Sequence, residues 1–194
     1  EKEFFRNFNH NKKLCVLIVS PGICDETFTN EQKLVKLSRL LSKITNIKIL
    51  FRRKPVENEI KFKNFYYDAF KNCKNIVLTP HHIKLNNLHQ VSDLVITSIS
   101  TSAMDLLVKG SKVYFIDFMN TPNLYLPWEK FPKLVLKEKN AFHVIKNWIN
   151  SESDSNIRKI HHNECKKLKN YVGYVSNDFK KFKTSILNVL NDFP

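Results

Sequence analysis

Short unbroken apolar runs alternate along this chain with longer segments in which apolar residues recur every three or four positions, the periods of buried strand and amphipathic helix. Leu14-Cys15-Val16-Leu17-Ile18-Val19 is continuous and closes on Ser20-Pro21-Gly22, which predicts a central parallel strand covered on both faces and ended by a turn. Asn30 is placed to cap a helix whose Leu34, Val35, Leu37, Leu40, Leu41 and Ile44 share one face. Ile47–Phe51 is the next strand, with Arg52-Arg53-Lys54-Pro55 at its carboxyl end, and the three elements form a βαβ unit with a right-handed crossover. Phe62–Phe70 is expected as a short helix, Asn75–Thr79 as a strand ended by Pro80, and Ile83–Val91 as a helix with Leu85 and Leu88 inward.

Ser92–Phe118 packs four features into a short stretch. Leu94-Val95-Ile96 is a β-prone run, Ala103–Val108 is helical in pattern, Gly110 stands where a helix stops, and Val113-Tyr114-Phe115-Ile116 is a second buried strand. Between strand and helix, five of the six residues from Thr97 to Ser102 carry a hydroxyl: Thr97, Ser98, Ser100, Thr101 and Ser102. A helix cap uses one hydroxyl. The excess, at the carboxyl end of a parallel strand and before a helix N-terminus, predicts a pocket for phosphate or carboxylate oxygens. Asp105, one turn into that helix, has two readings: a ligand for ribose hydroxyls, or an acid favoured by the helix dipole.

Alternation of this kind predicts an α/β fold, a Rossmann-like parallel sheet flanked by helices, with a helical C-terminal tail. Residues 1–12 are expected to be a connecting segment, 13–156 a Rossmann-like lobe and 157–194 the helical tail, interrupted near Gly173–Asn177. Met119–Lys139 is expected to be irregular, with Pro122, Pro127 and Pro132 and the aromatics Tyr125 and Trp128, either facing a substrate or serving as a surface connection. Ala141–Ile149 is expected as an amphipathic helix and Ser151–Asn156 as a polar linker.

Composition narrows the chemistry. The 194 residues fit one domain or one lobe of a larger enzyme. A net charge of +14 calls for polyanionic company, and phosphate-bearing ligands with an anionic membrane surface are preferred to nucleic acid, because no arginine-rich block or RNA-stacking signature occurs. Three glycines in all leave no dinucleotide fingerprint, P-loop or nucleophile elbow. Cys15, Cys24, Cys73 and Cys165 have no metal-type spacing and are expected to be reduced thiols in a cytoplasmic setting. Neighbouring side chains diverge in the pairs His81-His82 and His161-His162, and no metal site is expected.

The sequence Asp93, Leu94–Ile96, Thr97, Ser100-Thr101, Asp105 and Val113–Ile116 resembles the motif of the C-terminal, donor-binding lobe of GT-B transferases. The likeness is greatest to the CDP-glycerol glycerophosphotransferase and capsule or surface-polysaccharide glycosyltransferase group. Arg52-Arg53-Lys54-Pro55 resembles that group's Arg-x-His-Pro turn, with Lys54 where the histidine stands, so a cation replaces a base. Ser98 replaces an acidic residue of the glycerophosphate branch, and Gly110-Ser111 replaces a Gly-Lys-Pro turn.

The resemblance implies a glycosyltransferase, or a glycerophosphotransferase-like enzyme, that binds a nucleotide-sugar or CDP-alcohol donor for transfer to a surface polysaccharide or lipid-linked acceptor. Thr97, Ser98, Ser100, Thr101, Ser102 and Asp105 would bind the donor, while Arg52 and Lys54 would offset leaving-group charge. No cofactor or metal is implied. The acceptor lobe and any catalytic base are expected outside these residues, and the location is expected to be the cytoplasm or the inner face of the membrane. Two alternatives stay open: a nucleotide-sugar 2-epimerase, and a non-enzymatic basic module for nucleic acid or another polyanion.

Overall fold

The structure, a computed structural model, describes residues 4–5, 13–20, 28–54, 59–98, 101–118 and 130–172, with backbone only for 59–63 and 101–104. Six strands, β1 (Leu14–Val19), β2 (Ile47–Arg52), β3 (Ile76–Leu78), β4 (Leu94–Ser98), β5 (Val113–Asp117) and β6 (Val135–Lys137), form one sheet in the order β3-β2-β1-β4-β5-β6. Every neighbouring pair is parallel. The chain works outward from β1 to β3, returns beside β1 as β4, and then works outward in the other direction.

Side chains alternate along each strand, so the continuous apolar runs supply two cores. Val16, Ile18, Ile49 and Phe51 pack under α1 (Phe28–Leu41), α2 (Glu59–Phe70) and α5 (Glu138–Asn150), where Leu34, Leu41, Tyr66, Ile145 and Trp148 are buried. Leu17, Val19, Leu50, Val95 and Phe115 pack on the other face with α3 (Leu85–Gln90), α4 (Thr101–Val108) and α6 (156–172), through Leu88, Leu106, Leu107, Cys165 and Leu168.

The sequence places Asn30 as a cap, but α1 already starts at Phe28 and Asn30 lies in its first turn. The stretch Met119–Lys139, expected to be irregular, contains β6 and the start of α5. Val135-Leu136 is too short to show a period, and its strand character comes from the exposed edge of β5, with Phe115, Ile116 and Asp117 paired to Val135, Leu136 and Lys137. Pro122, Tyr125, Pro127, Trp128, Cys24 and the tail beyond 172 lie outside the described residues.

Gly110 ends α4 as its position predicts. Its φ is +97°, its N–H donates to Leu107 O at 2.9 Å, and the Ser111 N–H donates to Leu106 O at 3.1 Å, the two bonds of a Schellman cap. Ser111 is buried, its hydroxyl 2.9 Å from His89 Nδ1, which ties α3 to this turn. Asp93 lies at the amino end of β4. It accepts from the Cys15 N–H at 2.8 Å and donates its own N–H to Cys15 O at 2.8 Å, locking β4 to β1.

Candidate functional site

The strand order reverses between β1 and β4, and open parallel sheets bind ligands at the carboxyl ends beside such a reversal. The register brings the predicted residues to that edge. Val19, the last residue of β1, pairs with Arg52 on one side and Thr97 on the other. Arg53 and Lys54 therefore follow on the β2 side, and Ser98 on the β4 side, at the level where β1 ends.

Each of these side chains has a distinct setting. Arg52 is 6% exposed, and its guanidinium donates to Pro80 O at 2.9 Å and His81 O at 3.1 Å, holding the loop after β3 against β2. Burial, then the neighbouring Arg53 charge, lowers its pKa. Lys54 is exposed. Thr97 is buried, its hydroxyl donating to Ser98 O at 3.0 Å, and Ser98 is half-buried. Thr101 and Ser102 begin α4, whose first N–H groups have no intrahelical acceptor, while Asp105 is exposed on its second turn. Ser100 lies outside the described residues.

Three further groups lie at this edge, and the sequence assigns none of them a role. Arg53 is half-buried, its Nη2 2.8 Å from His81 Nε2, and its guanidinium carbon is 5.8 Å from the Tyr66 ring centre. Since arginine only donates, His81 Nε2 accepts, which requires a neutral imidazole with its proton on Nδ1. Beneath, the fully buried Glu31 accepts from Ser20 Oγ at 2.8 Å and Tyr66 OH at 3.0 Å. Glu31 sits in the first turn of α1, where the helix dipole favours a negative charge. At the β5–β6 end, Lys137 donates to the buried Asp117 at 2.5 Å.

These groups are contributed by residues tens of positions apart in sequence, and only the parallel register assembles them. The outcome is a strand-end surface with Arg53 and Lys54 on one side of the β1 end and Ser98 and the backbone start of α4 on the other. Its two buried carboxylates are already engaged. No group of three metal-ligating side chains converges among the described residues.

No protein-family model matches the sequence, and no curated protein does. Solved structures do match, at the level of the fold. The wall teichoic acid polymerase TagF is 14% identical with a TM-score of 0.60, over 94% of this chain and 47% of its own. MnaA of S. aureus, solved with UDP, is 11% identical with a TM-score of 0.59, over 91% of this chain and 48% of its own. A UDP-N-acetylglucosamine 2-epimerase is 11% identical with a TM-score of 0.50, over 82% of this chain and 38% of its own. This chain has the fold of one GT-B lobe. It spans less than half the length of the chains it matches.

Proposed function

We propose that this chain is the donor-binding lobe of a GT-B-type glycosyltransferase, or of a glycerophosphotransferase-like relative, and binds a nucleotide-activated sugar or polyol phosphate at the carboxyl edge of its sheet. The observation that carries this reading is the coincidence of the strand-order reversal with Thr97, Ser98 and the α4 N-terminus on one side and Arg53 and Lys54 on the other. The donor phosphates lie across the β1 end, with Ser100, Thr101 and Ser102 at the helix N-terminus as hydroxyl and N–H donors. Asp105 is assigned to the ribose hydroxyls.

The roles of the cations divide. Arg52 is committed to the Pro80 and His81 carbonyls and acts as a positioning residue. Arg53 and Lys54 are the charges that offset a departing nucleotide phosphate, a stabilisation that grows as negative charge develops on the leaving group. His81 and Tyr66 hold Arg53 in place, so little reorganisation accompanies that step. The acceptor, a surface polysaccharide or lipid-linked glycan at the inner face of the membrane, and the base that activates it, are assigned to residues beyond this lobe. Among the described residues no helix is long and apolar enough to cross a membrane.

The match to epimerase structures supports a second reading, 2-epimerisation of a nucleotide-sugar on the same donor site. Thermal-shift titration with CDP, CMP, UDP and GDP tests the shared claim. One or two are expected to raise the midpoint in a concentration-dependent way, and at one hundred times Kd the ligand contributes about 2.7 kcal/mol. Lys54→Gln is expected to weaken the response and Ser100→Ala with Thr101→Ala to abolish it. No response to any nucleotide, with steeply salt-dependent nucleic-acid binding in its place, favours the basic-module alternative. Incubation with UDP-N-acetylglucosamine then separates transfer from epimerisation by whether the 2-epimer forms without an acceptor.

A further inference from the structure

Of the two buried carboxylates among the described residues, Asp117 is taken by Lys137 across β5 and β6, and Glu31 has no task in the donor site as described above. Glu31 lies at the same carboxyl edge, in the first turn of α1. Its Oε2 accepts from Ser20 Oγ at 2.8 Å and its Oε1 from Tyr66 OH at 3.0 Å, with the two hydroxyl oxygens 3.4 Å apart. One donor on each oxygen suits the ionised carboxylate, which only accepts. Ser20 is the first residue beyond β1, and its N–H donates to Arg52 O at 2.9 Å. Tyr66 is fully buried and carries the Arg53 guanidinium carbon over its ring, 5.8 Å from the centre. Tyr66 thus meets the carboxylate through its hydroxyl and the arginine through its ring.

We infer that Glu31 is a positioning residue for Arg53, acting through the Tyr66 hydroxyl to hold that guanidinium where donor phosphates meet it; the inference rests on the donor reading above. Packing alone does not call for a charge at position 31, because a buried carboxylate loses its hydration and a well-packed apolar residue of similar volume serves a core as well. Arg53 does need one nearby. It stands between the cations Arg52 and Lys54 at a strand end, and His81 Nε2, a neutral acceptor at 2.8 Å, brings no opposite charge. A tyrosine whose hydroxyl donates to a carboxylate presents a more electron-rich ring face, which strengthens its hold on a cation. Phe51 and Phe65 flank the Tyr66 ring at 5.4 and 5.2 Å, so packing and the hydroxyl contact together fix one ring orientation. A carboxylate that only joined α1 to β1 would be served by Ser20; the contact to Tyr66 extends its reach to α2 and to the arginine.

The experiment is calorimetric titration of the 194-residue chain with CDP, UDP and GDP, for the parent, Glu31→Gln, Arg53→Gln and the double variant. The sign of the first effect separates two roles. Removing a negative charge from beneath an anion site by itself tightens binding, whereas losing the hold on Arg53 weakens it. Glu31→Gln, equal in shape and offering an amide to both hydroxyls, is expected to raise Kd about tenfold, and Arg53→Gln about tenfold or more. In the Arg53→Gln background, Glu31→Gln is expected to raise Kd less than about twofold, because no guanidinium is left to position. Tyr66→Phe keeps the ring and lacks only the hydroxyl. It is expected to raise Kd at least about threefold with the same dependence on Arg53, and it decides the matter if the Glu31→Gln chain lacks a cooperative urea transition. Tighter binding by Glu31→Gln, or equal losses with and without Arg53, overturns the inference and leaves the donor reading intact. Failure of the parent chain to bind any of the three nucleotides overturns the donor reading and this inference with it.

Discussion

Single residues in this protein divide by what their hydrogen bonds leave open. Arg52 and Arg53 are adjacent and chemically identical, yet one clamps two backbone carbonyls while the other faces His81 across the strand ends. Nothing in the local sequence distinguishes them, because the deciding partners come from the loop after β3. His161 shows the same dependence: its Nε2–H donates to Val113 O at 3.0 Å, its ring stacks 4.0 Å from Tyr114, and burial pushes its pKa down to about 4. The unfolded chain binds that proton more readily, so stability is retained above pH 6.5 and lost as pH falls toward 4, by about 3 kcal/mol. Urea denaturation between pH 7 and pH 4 measures the loss. His161→Gln, which can still donate to Val113 O, is expected to flatten this part of the profile.

At the scale of elements, the strands and long helices follow from period alone. β1, β2, β4 and β5 lie where their apolar runs predict, with ends shifted by a residue or two. β6 is illegible because three residues carry no period and the strand exists only by pairing with β5. The α4–β5 turn is legible because Gly110 performs a backbone task that other residues do at a cost. An added Cβ at Gly110 meets nothing within 4 Å, so the penalty for Gly110→Ala arises from the φ of +97°. Chemical denaturation is expected to show a loss of about 1–2 kcal/mol. An unchanged midpoint would mean that the cap relaxes to a right-handed turn.

Across the whole molecule, α6 joins the two cores. It places His161 beside Tyr114 and Trp148 on one face, and Cys165 and Leu168 among the residues of the other. The Val113 N–H and carbonyl, at the start of β5, meet Cys165 Sγ at 3.5 Å and His161. Burial raises the Cys165 thiol to about 11 and the Cys15 thiol to about 12, which keeps both as protonated, unreactive thiols at neutral pH. Deleting residues from 156 onward uncovers Val113, Leu107 and Trp148 and removes three buried side chains, His161, Cys165 and Leu168. At about 1.5–3 kcal/mol for each large apolar group exposed, the loss approaches the whole stability of a domain. The shortened chain is expected to lose its cooperative urea transition; a sharp transition at the parent midpoint would show that α6 is dispensable.

The sequence by itself determined the α/β alternation, the two-sided burial of the central strands, the turn at Gly110 and the hydroxyl-rich segment after β4, because local period and backbone preference decide each of these. Tertiary structure decided which strand ends meet, which of two adjacent arginines is spent on the fold, and where the buried Glu31 finds its hydroxyl partners. Those are properties of parallel register and strand order, which set residues far apart in the chain side by side, and no local pattern encodes them.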